Sequence, residues 1–231
     1  MGIYKVSQPI VRDNLSVYLD ATNVKSYSGN TAVIWNDLSG NNITGTLVNV
    51  SGTTFINGSI ILDGVNDFIT LTLPSFSSNY SISFWIRFIT LPGVTTEKQV
   101  FASPGDIASI SLFNTVANAY KFTSWNGSTS RTGNTTLATG TWYNFVMVNS
   151  SNTIFYLNGL VDGTFVDTAT LNSGSATIGA IGGLRNLNCN INNVLFYNKA
   201  LSQLEIRQNF NSMRGRFNIW YTEHQQWLLM V

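Results

Sequence analysis

The chain has 231 residues, 44% hydrophobic and 13% aromatic but only 10% charged, with a net charge of +1 and one cysteine. That much apolar material suffices for one sizeable core, while scattered Lys and Arg argue against nucleic acid as a partner and a lone cysteine excludes an intrachain disulfide. No run of about 18 uncharged apolar residues occurs, so no membrane insertion is expected, and the first twenty residues lack the long apolar run of a secretion signal.

Leu15 to Asp20 reads as a first strand, with Leu15, Val17 and Leu19 on one face. A loop-rich region dense in Asn, Ser and Gly follows, holding a short strand over residues 33–35 that runs into the turn Asn36-Asp37-Leu38-Ser39-Gly40. Two short strands flank Asn57-Gly58, and Phe68 to Leu73 forms another, ended by Pro74. Tyr80 to Phe88 alternates cleanly: Tyr80, Ile82, Phe84, Ile86 and Phe88 share one parity, Ser81, Ser83, Trp85 and Arg87 the other. This pattern predicts a half-buried strand with an apolar inner side.

Further strands are expected at 98–102, 107–113, 119–125, 141–149, 152–157, 160–166, 175–179 and 190–197. Asn158-Gly159 supplies the pair of positive-φ residues that a tight hairpin needs. One helix is predicted over Ser202 to Met213, with Ser202 as N-cap, Glu205 in the capping-box position, and Leu204, Phe210 and Met213 facing the core. Arg207, Arg214 and Arg216 fit a solvated face. Many short strands and one late helix predict an all-β antiparallel sandwich. Residues 1–13 read as an N-terminal arm, 14–219 as the sandwich and 220–231 as a tail whose apolar end, Trp227-Leu228-Leu229-Met230-Val231, either packs on its own sandwich or docks on another chain.

Several segments, in order, resemble the laminin G-like branch of the concanavalin A-like lectin/glucanase superfamily. They are Leu15 to Ala21, Trp35 to Asn41 (WNDLSGN), Leu62 to Phe68 (LDGVNDF), Tyr80 to Ile86, the hairpin from Trp142 to Gly159, and a closing segment from Ile181 to Leu204. The resemblance implies a jelly-roll sandwich of this type. Residues 206–219 are similar to modules of tailed-bacteriophage virion proteins, which implies a virion setting and assembly in host cytoplasm. Carboxylates at the rim of related modules can hold calcium; here Asn192 and Asn193 stand where an acidic pair often precedes the closing Val.

The chemistry for turnover is sparse. Glycoside cleavage needs two carboxyl groups flanking the bond, and the chain has three glutamates, Glu97, Glu205 and Glu223, with no E-x-D-x-E run. The single histidine, His224, sits in the tail, and Cys189 reads as a small buried residue. No catalytic residue is assigned and no enzyme is expected. For a hard cation, which needs several oxygens, Asp63 and Asp67 with Asn66 and Asp37 are the candidates, and the same residues form good turns. For glycans, which favour an aromatic platform beside Asn or Asp, the candidates are Trp125 with Asn126 and Trp35 with Asn36. For partner docking they are Trp220, Tyr221, Trp227, Leu228 and Leu229. The leading reading is a non-enzymatic virion structural protein, a capsid decoration or tail component, with weak glycan adhesion. Its partners would be other virion proteins such as the major capsid protein, or copies of itself. The alternative is a soluble carbohydrate-binding module or an adhesin for a host receptor, with cell-surface glycans as ligands.

Overall fold

The computed structural model describes residues 8–50, 55–93, 95–113 and 119–219. In chain order the strands are β1 (Leu15–Asp20), β2 (Ile34–Trp35), β3 (Gly45–Val48), β4 (Phe55–Ile56), β5 (Ser59–Asp63), β6 (Phe68–Leu73), β7 (Tyr80–Phe88) and β8 (Lys98–Ala102). They continue with β9 (Ser109–Phe113), β10 (Lys121–Trp125), β11 (Ser130–Thr132), β12 (Trp142–Asn149), β13 (Thr153–Leu157), β14 (Leu160–Phe165), β15 (Gly174–Ile178) and β16 (Asn188–Tyr197), before helix α1 (Gln203–Met213).

These strands form two antiparallel eight-stranded sheets. The first runs β14-β13-β12-β7-β16-β5-β4, with β1 also on β16; the second runs β11-β10-β9-β8-β15-β6-β3-β2. Strand β16 organises the first sheet. One edge of it pairs with β7 along most of its length, while the other pairs with β5 over residues 188–191 and with β1 over residues 193–197. The register shifts between Ile191 and Asn193. Asn192 rivets this hand-over: its Nδ2 donates to Thr22 Oγ1 at 2.8 Å and to the Gly58 carbonyl at 2.5 Å.

The predicted inner parity of β7 faces the second sheet. Tyr80, Ile82, Phe84, Ile86 and Phe88 are fully buried, and aromatic rings cross the gap between layers: Phe84 meets Phe101 at 6.1 Å, and Phe145 stacks on Phe122 at 4.2 Å. Each such ring removes enough apolar area from water to contribute about 2–3 kcal/mol.

The other parity of β7 departs from expectation. Ser81, Ser83 and Trp85 are buried as well, because helix α1 and residues 8–13 cover the back of the first sheet with a second apolar cluster. Trp85 lies between Phe210 of the helix (5.5 Å, 11° between planes) and Phe217 just beyond it (4.1 Å, 20°). The arm is tied down by Val11 N–H donating to Asn209 Oδ1 at 2.8 Å and by the Tyr197 hydroxyl donating to the Val11 carbonyl at 3.0 Å.

The helix starts at the predicted capping box. Ser202 Oγ accepts from the Glu205 N–H, and Glu205 Oε2 accepts from the Ser202 N–H at 2.9 Å. Burial works to raise the Glu205 carboxyl, but bonds from Lys199 and Ser202 outweigh it and hold it below its ordinary value. Phe210 and Met213 face inward as expected, but Leu204 is 71% exposed and Ile206 takes its place in the buried stripe. The arginines do not share one solvated face, although Arg216 is exposed and Arg214 half-buried. Arg207 is buried, and Arg216 Nη1 reaches the buried Asp20 carboxylate at 2.9 Å, because this end of the chain lies on a sheet.

Strands β3 and β11 lie outside the set expected from sequence. β3 opens on Gly45, where a Cβ would press within 3.2–3.4 Å of Ile69, Leu19 and Trp35 side chains. The side chain that β11 buries is Arg131, made tolerable by its bond to Asp167 Oδ1. Neither strand carries the apolar alternation by which strands are read from sequence.

Candidate functional site

Small hydroxyl residues pave the outer side of the second sheet at β9 and β10, where Ser109, Ser111 and Thr123 are almost fully buried and Trp125 is exposed. Along β9 and β10, Ile110, Leu112 and Phe122 point inward, leaving Ser109, Ser111, Thr123 and Trp125 on the outer parity. Strand register places Gln99, Ser111, Thr123 and Thr132 side by side in one cross-strand row, and Ser109, Trp125 and Ser130 in the next. Thr123 and Thr132 hydroxyls lie 3.3 Å apart. Gln99 is buried; its Nε2 donates to the carbonyls of Phe101 (2.7 Å) and Ile110 (3.2 Å), and its Oε1 has no hydrogen-bond partner among the described residues.

These rows floor a cleft of about 300 Å³, within the size range of small-ligand sites. Trp125 lines it at 37% exposure. Charged walls complete it: Glu97 and Arg185, joined by an ion pair of 2.6 Å between Glu97 Oε2 and Arg185 Nη1, and Asp106 in the turn before β9. The Arg185 wall is built by a tight turn in which Ile181 and Leu184 exchange backbone bonds of 2.9 and 2.8 Å. Gly182 and Gly183 supply the positive φ values, 55° and 75°, that the turn requires. The Arg185 carbonyl accepts from the Gln99 N–H at 2.9 Å, fixing this wall to β8.

Asn126 positions the site and is poorly placed to bind. Its Oδ1 accepts from the Ser128 N–H (3.0 Å) and the Thr129 N–H (2.7 Å), and its Nδ2 donates to Asp167 Oδ2 at 3.1 Å. This turn pins the end of β10 and thereby the indole of Trp125. Burial tends to raise the Asp167 carboxyl, yet the bond and charge of Arg131 hold it below its usual range.

Trp35 is not the second platform that the sequence suggests. It is fully buried among Leu47, Ile69 and the rest of the main core, so it cannot touch a ligand; Asn36 beside it is exposed. Trp35 on β2 and Trp125 on β10 stand six strand spacings apart, about 29 Å at about 4.8 Å per strand, so they do not share a site.

Asp63 and Asp67 form a turn. Asp63 Oδ1 accepts from the N–H groups of Val65 (2.8 Å), Asn66 (3.2 Å) and Asp67 (3.3 Å), while Asp67 Oδ2 accepts from the Asp63 N–H at 3.2 Å. Burial pulls the Asp63 carboxyl upward, but these amide bonds prevail and leave it below its ordinary value; burial, then the charge of Asp63, pushes Asp67 upward. Asp67 Oδ1 is buried without a hydrogen-bond partner among the described residues. Calcium takes six to eight oxygens, and among the described residues no group of three or more His, Cys, Asp or Glu converges. Asp37 is likewise occupied, accepting from the N–H groups of Tyr18 and Ser39. Burial pushes the thiol of Cys189 far above its ordinary value, in keeping with a packing role. Trp220, Tyr221, Trp227, Leu228 and Leu229 lie outside the described residues.

Glu97, Asp106, Arg185 and the hydroxyl rows are site features that sequence reasoning misses. The alternation in Ser109–Phe113 and Lys121–Trp125 does signal the rows, since it sets Ser and Thr opposite the buried Ile, Leu and Phe. Nothing local signals the Glu97–Arg185 pair, which joins two distant loops.

No curated protein sequence matches this chain. Among solved structures, it is similar to botulinum neurotoxin type C, from work on its entry through two ganglioside molecules, at 19% identity and TM-score 0.64 over 88% of this chain and 52% of that one. It is similar to domain 4 of AbnA, an extracellular arabinanase of Geobacillus stearothermophilus solved with arabinotriose, at 20% identity and TM-score 0.64 over 86% and 98%. A sialidase of Trypanosoma rangeli bound to sialic acid gives 15% identity and TM-score 0.64 over 89% and 34%. The chain spans about half the length of the neurotoxin structures, and at these identities the likeness is one of fold. The laminin G-like family profile described as the concanavalin A-like lectin/glucanases superfamily matches residues 63–207, more than half of the sequence, and with the two-sheet architecture this places the chain in that superfamily.

Proposed function

We propose that the chain is a non-enzymatic glycan-binding module that receives its ligand in the cleft beside Trp125. The observation that carries this reading is the half-exposed indole of Trp125 at a cleft floored by rows of Ser and Thr hydroxyls. A pyranose has an apolar C–H face and a polar rim. An indole accepts the first, and hydroxyls, carboxylates and a guanidinium bond the second. Fold neighbours solved with arabinotriose and with sialic acid support a sugar ligand.

The reading as a binder and not a hydrolase rests on Glu97. Its carboxylate is committed to Arg185, whereas glycoside cleavage needs two carboxyl groups available on either side of the bond. The test is an oligosaccharide array probed with wild type and Trp125→Ala, followed by a reducing-sugar assay on every ligand bound. Binding that vanishes in Trp125→Ala, with no sugar released, is expected. A blank array, or binding indifferent to Trp125, refutes the site; release of sugar refutes the binder.

The setting we propose is a virion surface, with the major capsid protein or copies of this chain as partners. Its support is the almost uncharged composition together with the sequence similarity of residues 206–219. Co-purification with particles, lost on removing residues 220–231, is the expected result.

A further inference from the structure

We propose that Glu97 sets the charge selectivity of the Trp125 cleft, so that it takes neutral glycans and rejects those bearing a carboxylate. The inference rests on the glycan reading above and goes on to name the class of sugar.

Three charged side chains line the cleft: Glu97, Asp106 and Arg185. The one cation among them is already spoken for. Arg185 Nη1 lies 2.6 Å from Glu97 Oε2, with the Arg and Glu side chains 45% and 29% exposed, so the pair sits at the mouth where a ligand arrives. Asp106, half-buried, has no ion-pair partner among the described residues. Lys121, on the same parity of β10 as Thr123, lies outside the lining. An incoming carboxylate therefore meets two carboxylates and one neutralised guanidinium. Like charges brought together in this way weaken binding strongly. A neutral sugar meets no such penalty, and its hydroxyls can donate to the same carboxylates.

Arg185 is otherwise well suited to an acidic sugar, because its planar fork pairs bidentately with a carboxylate. What withholds it is Glu97. The backbone of Arg185 is held independently of the ion pair, through its carbonyl on Gln99 N–H and through the Ile181–Leu184 turn. Removing the charge of Glu97 thus frees the guanidinium without moving the wall that carries it.

The experiment uses immobilised neutral oligosaccharides and matched oligosaccharides ending in uronic or sialic acid, at low salt, with wild type, Glu97→Gln, Arg185→Gln and the double variant. Wild type is expected to bind neutral probes and to bind acidic ones at least about tenfold more weakly. Glu97→Gln should raise acidic binding relative to neutral binding by about tenfold or more, with an unchanged thermal midpoint showing that the fold is intact. The double variant should lose that gain, since the gain belongs to Arg185. Wild type that binds acidic probes as well as neutral ones overturns the inference while leaving the glycan reading standing. So does a Glu97→Gln variant with no acidic gain, or a gain that persists without Arg185. A blank array for wild type removes both.

Discussion

Trp85→Ala tests the claim that the back of the first sheet is a true second core. Trp85 is 1% exposed and stacked between Phe210 and Phe217. Burying about 200 Å² of indole at about 25 cal/mol/Å² is worth about 5 kcal/mol. Alanine retains a little of this, and partial collapse of the helix recovers more, so a destabilisation of about 4 kcal/mol is expected, inside the range for buried aromatic truncations. For a chain of this size that is about 8–16 °C in the thermal midpoint. The distribution of the damage is the sharper readout. The indole's stacking on Phe210 and Phe217 holds α1 to the sheet, so hydrogen exchange should accelerate most in residues 203–217, while β9 and β10 in the opposite sheet keep nearly their full relative protection. Glycan binding at Trp125, on that opposite sheet, should survive below the midpoint. A destabilisation below about 1 kcal/mol, or protection falling evenly in both sheets, would refute the two-core description.

Ser202→Ala removes one half of the capping box and should cost about 1 kcal/mol, read by denaturant titration. Gly179→Ala should cost about 3 kcal/mol, because Gly179 holds φ 87° and an added Cβ would collide with Leu62 Cδ1; Gly182→Ala, with φ 55° and nothing within 4 Å, should cost only about 1. Equal costs at the two glycines would sink that argument. Asp63→Asn should lower the thermal midpoint at neutral pH. Because the folded-state value of Asp63 lies below its ordinary one, its contribution is present above the unfolded value, about 3.9, and fades as pH falls through the folded one. The gap between wild type and Asp63→Asn should therefore close on acidification, and a gap that widens would contradict the turn geometry.

Local patterning determined a great deal. The period-2 alternation of Tyr80–Phe88 fixed its inner face, the turn residues at Asn57-Gly58 and Asn158-Gly159 set hairpins, and Ser202 with Glu205 marked the start of the helix, because each signal lies within a few residues and acts through backbone geometry. Trp125 at the end of its strand was legible for the same reason. Which tryptophan is exposed was not. Trp35 and Trp125 both precede an Asn in a turn, and only the stacking of β2 and β3 over the main core buries the first. Nor could alternation alone foretell that Ser81, Ser83 and Trp85 lie under a helix more than a hundred residues later in the chain, or that Glu97 meets Arg185. Such contacts are set by sheet order and loop closure across long separations, where no residue's immediate neighbours carry the information.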